Sequence, residues 1–166
     1  MSDYFIKEVK SKAALLYVVA GIPGIDEHKL YQILYLAEKE HLVKYGRQIM
    51  GEIYEKHPLG MVPILFCKSI IDKGGALQRN GDLIKANEQP NLEELSVSDL
   101  ECLNWSIEQN KNKDPRQLFA DSCKEAYHNK TETGLIETLD IAMEGKAEKG
   151  MTEYIKNYIE NSSGMQ

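Results

Sequence analysis

The stretch Asp26–Phe66 constrains this 166-residue chain most, because its apolar period changes twice and glycine or proline punctuates each change. Asp26 stands where a carboxylate accepts from the first free amides of a helix. Ile25 before it and Leu30 after it form a hydrophobic staple. Leu30, Ile33, Leu34, Ala37 and His41 share one helical face, and Tyr31, Tyr35 and Leu42 widen it. So broad an apolar surface predicts a central helix over 27–45, contacted from several sides. Gly46 supplies its left-handed stop. From Gln48 to Lys56 the pattern alternates, with Ile49, Gly51 and Ile53 on one side and Met50, Glu52 and Tyr54 on the other. That predicts a half-buried strand in which Gly51 marks a bulge or a close backbone approach. His57-Pro58-Leu59-Gly60 turns the chain. Pro63 then suits the first turn of a third helix, with Val62, Phe66 and Ile70 on its face and Gly74-Gly75 at its end.

The flanks read as packing around this unit. Ser2 can cap a first helix, from about Asp3 to Ala20, with Ile6, Val9, Ala13, Leu16 and Ala20 on one face. Asn80-Gly81 signals a hairpin whose two-residue loop pairs Arg79 with Asp82 and Leu77 with Ile84. Asn87–Leu92 is a loop. Ser96-Val97-Ser98-Asp99 resembles a capping box, and Asp114-Pro115-Arg116-Gln117 is a second strong helix start, its helix running through Tyr127. Two more helices are expected over about 132–143 and 148–159, before a frayed tail. The fold class is α+β, mainly α. About seven helices surround the central one (27–45), with a small antiparallel sheet from 48–56 and the hairpin 76–86.

Length and composition indicate one soluble folded domain. The longest apolar run, Ala13–Ala20, is too short to span a bilayer, and the start lacks the order of a signal peptide. A cytoplasmic location is expected. Cys67, Cys102 and Cys123 form no CxxC pair, which argues for reduced thiols rather than a disulfide framework or thiolate zinc site. The net charge is −6 and unevenly spread. Residues 1–85 carry 12 basic and 10 acidic groups, residues 86–166 carry 8 and 16, and Glu88–Glu108 contains six acids without Lys or Arg. Such a surface repels phosphate backbones and suits a basic partner.

No catalytic constellation stands out. Glu38, His41, His57 and Cys67 match no metal-ligand spacing, and His41 falls on an apolar stripe, where a satisfied core histidine is the simpler reading. Cys123 and His128, five apart, lack an orienting group and an oxyanion hole. No phosphate-loop pattern occurs, and the nine tyrosines do not interleave with a basic patch. No cofactor, metal or enzyme activity is expected.

The central motifs are similar to those of the Panacea domain, the SocA-like antitoxin domain of many phage-associated proteins. The similarity lies in Lys29, Leu30, Ile33, Leu34, Tyr35, Ala37 and Leu42, then Tyr45-Gly46-Arg47, Gly51, Tyr54, and Gly60-Met61-Val62-Pro63. Met61 replaces a proline of the family pattern. Leu95–Asp99 and Leu139–Ala142 also resemble family segments. Cys123 and Tyr127 stand where members usually have His and Trp. The resemblance implies an antitoxin domain over 1–146, with 147–166 a C-terminal helix and tail packed on it. It further implies a prophage-type setting and a cognate toxin from an adjacent gene, with delivery to a protease as an option. Membrane and nucleic-acid partners are not expected, although repression of its own operon is the alternative function. Candidate contacts are Tyr45, Arg47, Tyr54 and His57 around the turn, and Glu93, Glu94, Asp99 and Glu101 in the acidic segment. Asp26, Gly46, Gly51, Gly60 and Pro63 are expected to shape the backbone.

Overall fold

A computed structural model describes residues 3–129 and 134–164. Helix α2 (Glu27–Tyr45) is its axis, and every residue from Leu30 to Glu38 is buried. Asp26 Oδ1 accepts from the Lys29 amide at 2.8 Å. At the other end Gly46, with φ 80°, donates its amide to the Leu42 carbonyl at 3.0 Å. The helix divides two apolar clusters. Leu30, Ile33, Leu34 and Ala37 face the first, with α1 (Asp3–Gly21), α3 (Cys67–Lys73) and α4 (Val97–Asn110). Tyr35, Leu36 and Leu42 face the second, with α5 (Pro115–Ser122), α6 (Glu125–Asn129), α7 (Thr138–Glu144) and α8 (Lys149–Gly164). Each fully buried Leu or Ile contributes on the order of 2 kcal/mol, so α2, which buries more apolar residues than any other element, is the largest single contributor to the core.

The class is α+β and mainly α, with eight α-helices among the described residues. The strands form two sheets. In one, β1 (Tyr54–His57) lies between β2 (Gly60–Pro63) and β5 (Leu135–Ile136), all antiparallel to their neighbours. In the other, β3 (Leu77–Asn80) pairs with β4 (Leu83–Ala86). The segment 48–56 and the hairpin 76–86 therefore do not share a sheet.

Several local expectations give way to tertiary hydrogen bonds. Residues 48–53 are not a strand: the Met50 and Gly51 amides go to the Glu38 carboxylate, at 3.0 and 3.2 Å, and Gly51 has φ 73°. Pro63 ends β2 opposite Tyr54 instead of opening a helix. As β2 is an edge strand, its missing N–H forfeits no ladder bond. Helix α3 begins at Cys67, because the Glu52 carboxylate collects the amides of Leu65, Phe66 and Cys67. The hairpin is shifted: Arg79 opposes Ile84, Leu77 opposes Ala86, and Gly81-Asp82 is the loop. Gly81 takes φ 65° at the first loop position, as a type II′ turn requires. The chain before α2 fixes this register, since the Asp82 carbonyl accepts from the Glu27 amide and Ile84 donates to the Ile25 carbonyl.

The helix expected through Tyr127 breaks at Cys123-Lys124, and Glu144 Oε2 takes the Ala126 amide at 2.8 Å at the start of α6. The helix expected over 132–143 begins only at Thr138, because Leu135-Ile136 pairs with β1. The Ser2 cap and residues 132–133 lie outside the described residues. A 3₁₀ turn, Leu92–Glu94, stands at the end of the expected loop.

Candidate functional site

The C-terminus of α2 meets the N-terminus of α4 beneath a polar face. Ser96 caps α4, and Asp99 closes the capping box: Ser96 Oγ accepts the Asp99 amide at 3.1 Å, and Asp99 Oδ2 accepts the Ser96 amide at 2.9 Å. This local motif buries the Asp99 carboxylate completely and aims it toward α1 and α2. Lys10 Nζ reaches Oδ2 at 2.7 Å, while Arg47 Nη2 stands 3.2 Å and His41 Nε2 3.3 Å from Oδ1. Burial pushes Asp99 upward, but the Lys10 ammonium, the Ser96 amide and Arg47 outweigh it and hold the carboxyl below its ordinary value.

His41 is a satisfied core histidine. Its Nδ1 lies 2.7 Å from the Arg47 carbonyl, which can only accept, and its Nε2 lies 2.9 Å from Ser98 Oγ. Burial lowers its pKa. The neutral ring thus donates from Nδ1 and accepts the Ser98 hydroxyl at Nε2. It then gives Asp99 Oδ1 no proton, which agrees with that oxygen lacking a well-formed hydrogen bond.

Above this buried layer the exposed groups are tied together. Tyr45 donates its hydroxyl to Glu101 Oε2 at 2.6 Å, and Lys44 reaches Oε1 at 3.2 Å. Those two hydrogen bonds, Tyr45's first, lower the Glu101 pKa. The Tyr45 ring also lies 4.9 Å from His41. One turn beyond Glu101 on the outer side of α4, Trp105 is 40% exposed, and one turn before it Val97 is 86% exposed. Behind the turn Gly46 sits close under α8, since a Cβ there would lie 2.9 Å from the Tyr154 ring and 3.0 Å from Met151 Sδ.

The structure brings Tyr45, Arg47, Asp99 and Glu101 into one cluster. Glu93 and Glu94 are exposed on the preceding 3₁₀ turn and make no ion pair among the described residues. Tyr54 is fully buried, and its hydroxyl donates to Glu38 Oε1 at 2.5 Å. His57 stands on the β1–β2 hairpin, 2.7 Å from Glu55 and with its carbonyl taking the Tyr127 hydroxyl. The acidic stretch is less exposed as charge than its composition implies: Lys12 pairs with Glu88, Lys10 and Arg47 with Asp99, and Lys44 with Glu101.

Sequence reading missed the roles of three buried acids. Glu38 accepts from Tyr54, Gln48, Met50 and Gly51. Burial pushes it up to about 7, helped by the charge of Glu52 and opposed by those donors. Glu52 organises residues 65–67, and Glu144 joins Tyr35, Lys39 and Ala126. The one available signal was Glu52, which shares an alternating face with Met50 and Tyr54.

Among the described residues, no group of three or more His, Cys, Asp or Glu could hold a metal ion, and no helix is long and apolar enough to cross a membrane. Burial raises the Cys123 thiol to about 11, the reverse of an activated nucleophile. Helices, caps and buried acids thus define a mainly helical scaffold that displays a small charged and aromatic face. A family model described as antitoxin SocA-like, Panacea domain, matches residues 30–130, well over half of the chain. The chain belongs to this family. No curated protein and no solved structure matches it.

Proposed function

We propose that the chain is an antitoxin-type binding module that neutralises a partner toxin by stoichiometric masking, with hand-off to a protease as a further step. Membership of an antitoxin family carries this reading. The contact surface is the face formed by Tyr45, Arg47 and Glu101, extended by Glu93 and Glu94 on one side and Trp105 on the other. Asp99 and His41 act from beneath as positioning residues. A rigid base suits recognition, because little side-chain freedom is lost on binding, and tyrosine, tryptophan and arginine are the residues that dominate such interfaces.

The test is co-expression with the product of the adjacent gene. That product alone arrests growth, and the wild-type chain restores it. Tyr45→Ala combined with Glu101→Lys, both at exposed positions, abolishes rescue, although the variant protein remains soluble and folded. An adjacent product that is harmless alone, or that stays toxic beside the wild-type chain, defeats the antitoxin reading. Full rescue by the double variant defeats only this choice of surface.

A further inference from the structure

The outer side of α4 leaves apolar groups uncovered on the candidate face. Val97, Glu101 and Trp105 recur at every fourth residue, so they form one ridge, about 12 Å long at 1.5 Å per residue. Val97 is 86% and Trp105 40% exposed, while Cys102, Leu103 and Ile107 on the inner side are buried. Tyr45, 44% exposed, leans on the middle of the ridge through its hydroxyl bond to Glu101. Exposed apolar side chains scattered singly are ordinary on a surface, but a group of them rimmed by charge marks a docking site.

The charge around the ridge selects its occupant. Lys10 and Arg47 meet Asp99 with one positive charge to spare. Glu40 and Glu101 meet Lys44 with one negative charge to spare. Those two cancel, and Glu108 pairs with Lys111. What remains is Glu93 and Glu94, exposed just before the Ser96 cap and without ion pairs among the described residues. The face thus carries two net negative charges, both at the end where α4 begins. Such a field repels phosphate backbones. A second copy of this chain is a poor occupant, because it is itself at −6 and brings the same two unpaired acids to the contact.

We propose that this ridge binds an amphipathic helix of a partner protein, its apolar side chains recurring at steps of three and four and its flanks carrying Lys and Arg. The proposal deepens the antitoxin reading, and rests on it for calling the owner of that helix a toxin. Helices pack by setting ridges into grooves, and a ridge of residues four apart offers that geometry. The partner's apolar side chains seat between Val97 and Trp105, against the Tyr45 ring. Each Glu101 oxygen keeps a lone pair beyond its bond to Tyr45 or Lys44, so a partner Arg can approach it. The basic end of the helix lies over Glu93 and Glu94 at the rim, which fixes its direction.

Trp105 is the single tryptophan of the chain, so its fluorescence reports this face directly. The probe is a synthetic helix of about 18 residues, five turns, with Leu at steps of three and four and Lys on the flanks. One control replaces every Lys by Glu, and a second keeps the composition but scatters the Leu. The Lys helix changes the Trp105 emission saturably and binds at least about tenfold more tightly than either control. Glu93→Lys with Glu94→Lys weakens it about tenfold at low salt, and the difference closes as salt rises. Tyr45→Ala with Val97→Asn, neutral changes at exposed positions, weakens it about tenfold at every salt concentration. No toxin enters this titration, so it can fail while rescue in co-expression succeeds, and hold while rescue fails. An unchanged emission, equal binding by either control helix, or undiminished binding by either double variant would each overturn the proposal.

Discussion

Glu38 shows how much one residue can organise. Its carboxylate fixes the chain at Met50 and Gly51 and holds the Tyr54 hydroxyl, all without exposed surface. Its folded-state pKa of about 7 lies above the ordinary carboxylate range. Between about pH 4.5 and 7 the folded chain therefore holds a proton that the unfolded chain has released. Stability falls as pH rises through that window, by on the order of 3 kcal/mol from this group. Asp99 and Glu27 act in the opposite sense: their lowered values give stability above the unfolded pKa that is lost as pH falls through the folded one. Denaturant melts of wild type and Glu38→Gln at pH 5, 6, 7 and 8 check this. The variant loses about one proton's worth of slope, whereas equal slopes would place the titration elsewhere. None of this was legible in the sequence. An acid between Ala37 and Lys39 reads as the solvated side of a helix, and it is residues 48–54, folded over it, that turn that side inward.

Elements were legible wherever their signals were local. The caps at Asp26, Ser96 and Asp114 set the starts of α2, α4 and α5, and Gly46 sets the end of α2, where the residues say. Elements failed where a distant group took the backbone bonds: Glu38 at 48–53, Glu52 before α3, and the Ile25–Glu27 segment at the hairpin. The candidate face was half legible for the same reason. Tyr45, Arg47, Asp99 and Glu101 flank local caps and converge, whereas Tyr54 is turned inward by Glu38. Helix α8 ties to the motif turn in a way no local pattern reveals. Its Ile155 is 1% exposed, and its Met151 and Tyr154 press on Gly46. Gly46→Ala both strains a φ of 80° and drives a methyl into those side chains. The expected loss is about 1–3 kcal/mol, with α8 the first element to detach. Limited proteolysis reads the second part: cleavage within α8 accelerates in the variant while the rest resists. Uniform cleavage along the chain would mean that Gly46 supports the whole fold rather than the seat of α8.

At the scale of the molecule, the charge asymmetry between the two halves of the sequence folds up on itself. Lys10, Lys12, Lys44 and Arg47, from the first half, neutralise Asp99, Glu88 and Glu101 of the second. The field around the candidate face therefore comes from what is left over, chiefly Glu93 and Glu94, exposed and without ion pairs among the described residues. Unpaired surface charge steers association more than it holds a fold together. Replacing both glutamates by lysine should leave the Tm of the free chain unchanged. It should also slow association with a basic partner about tenfold at low salt, with little change in the dissociation rate. Stopped-flow association at two ionic strengths separates the possibilities. A rate difference that closes as salt rises identifies long-range steering by this acidic turn. A difference that persists at high salt, with faster dissociation, means that the glutamates touch the partner directly. Equal rates at both salts mean that the partner approaches from elsewhere, and the Tyr45 face would then lose its electrostatic rationale.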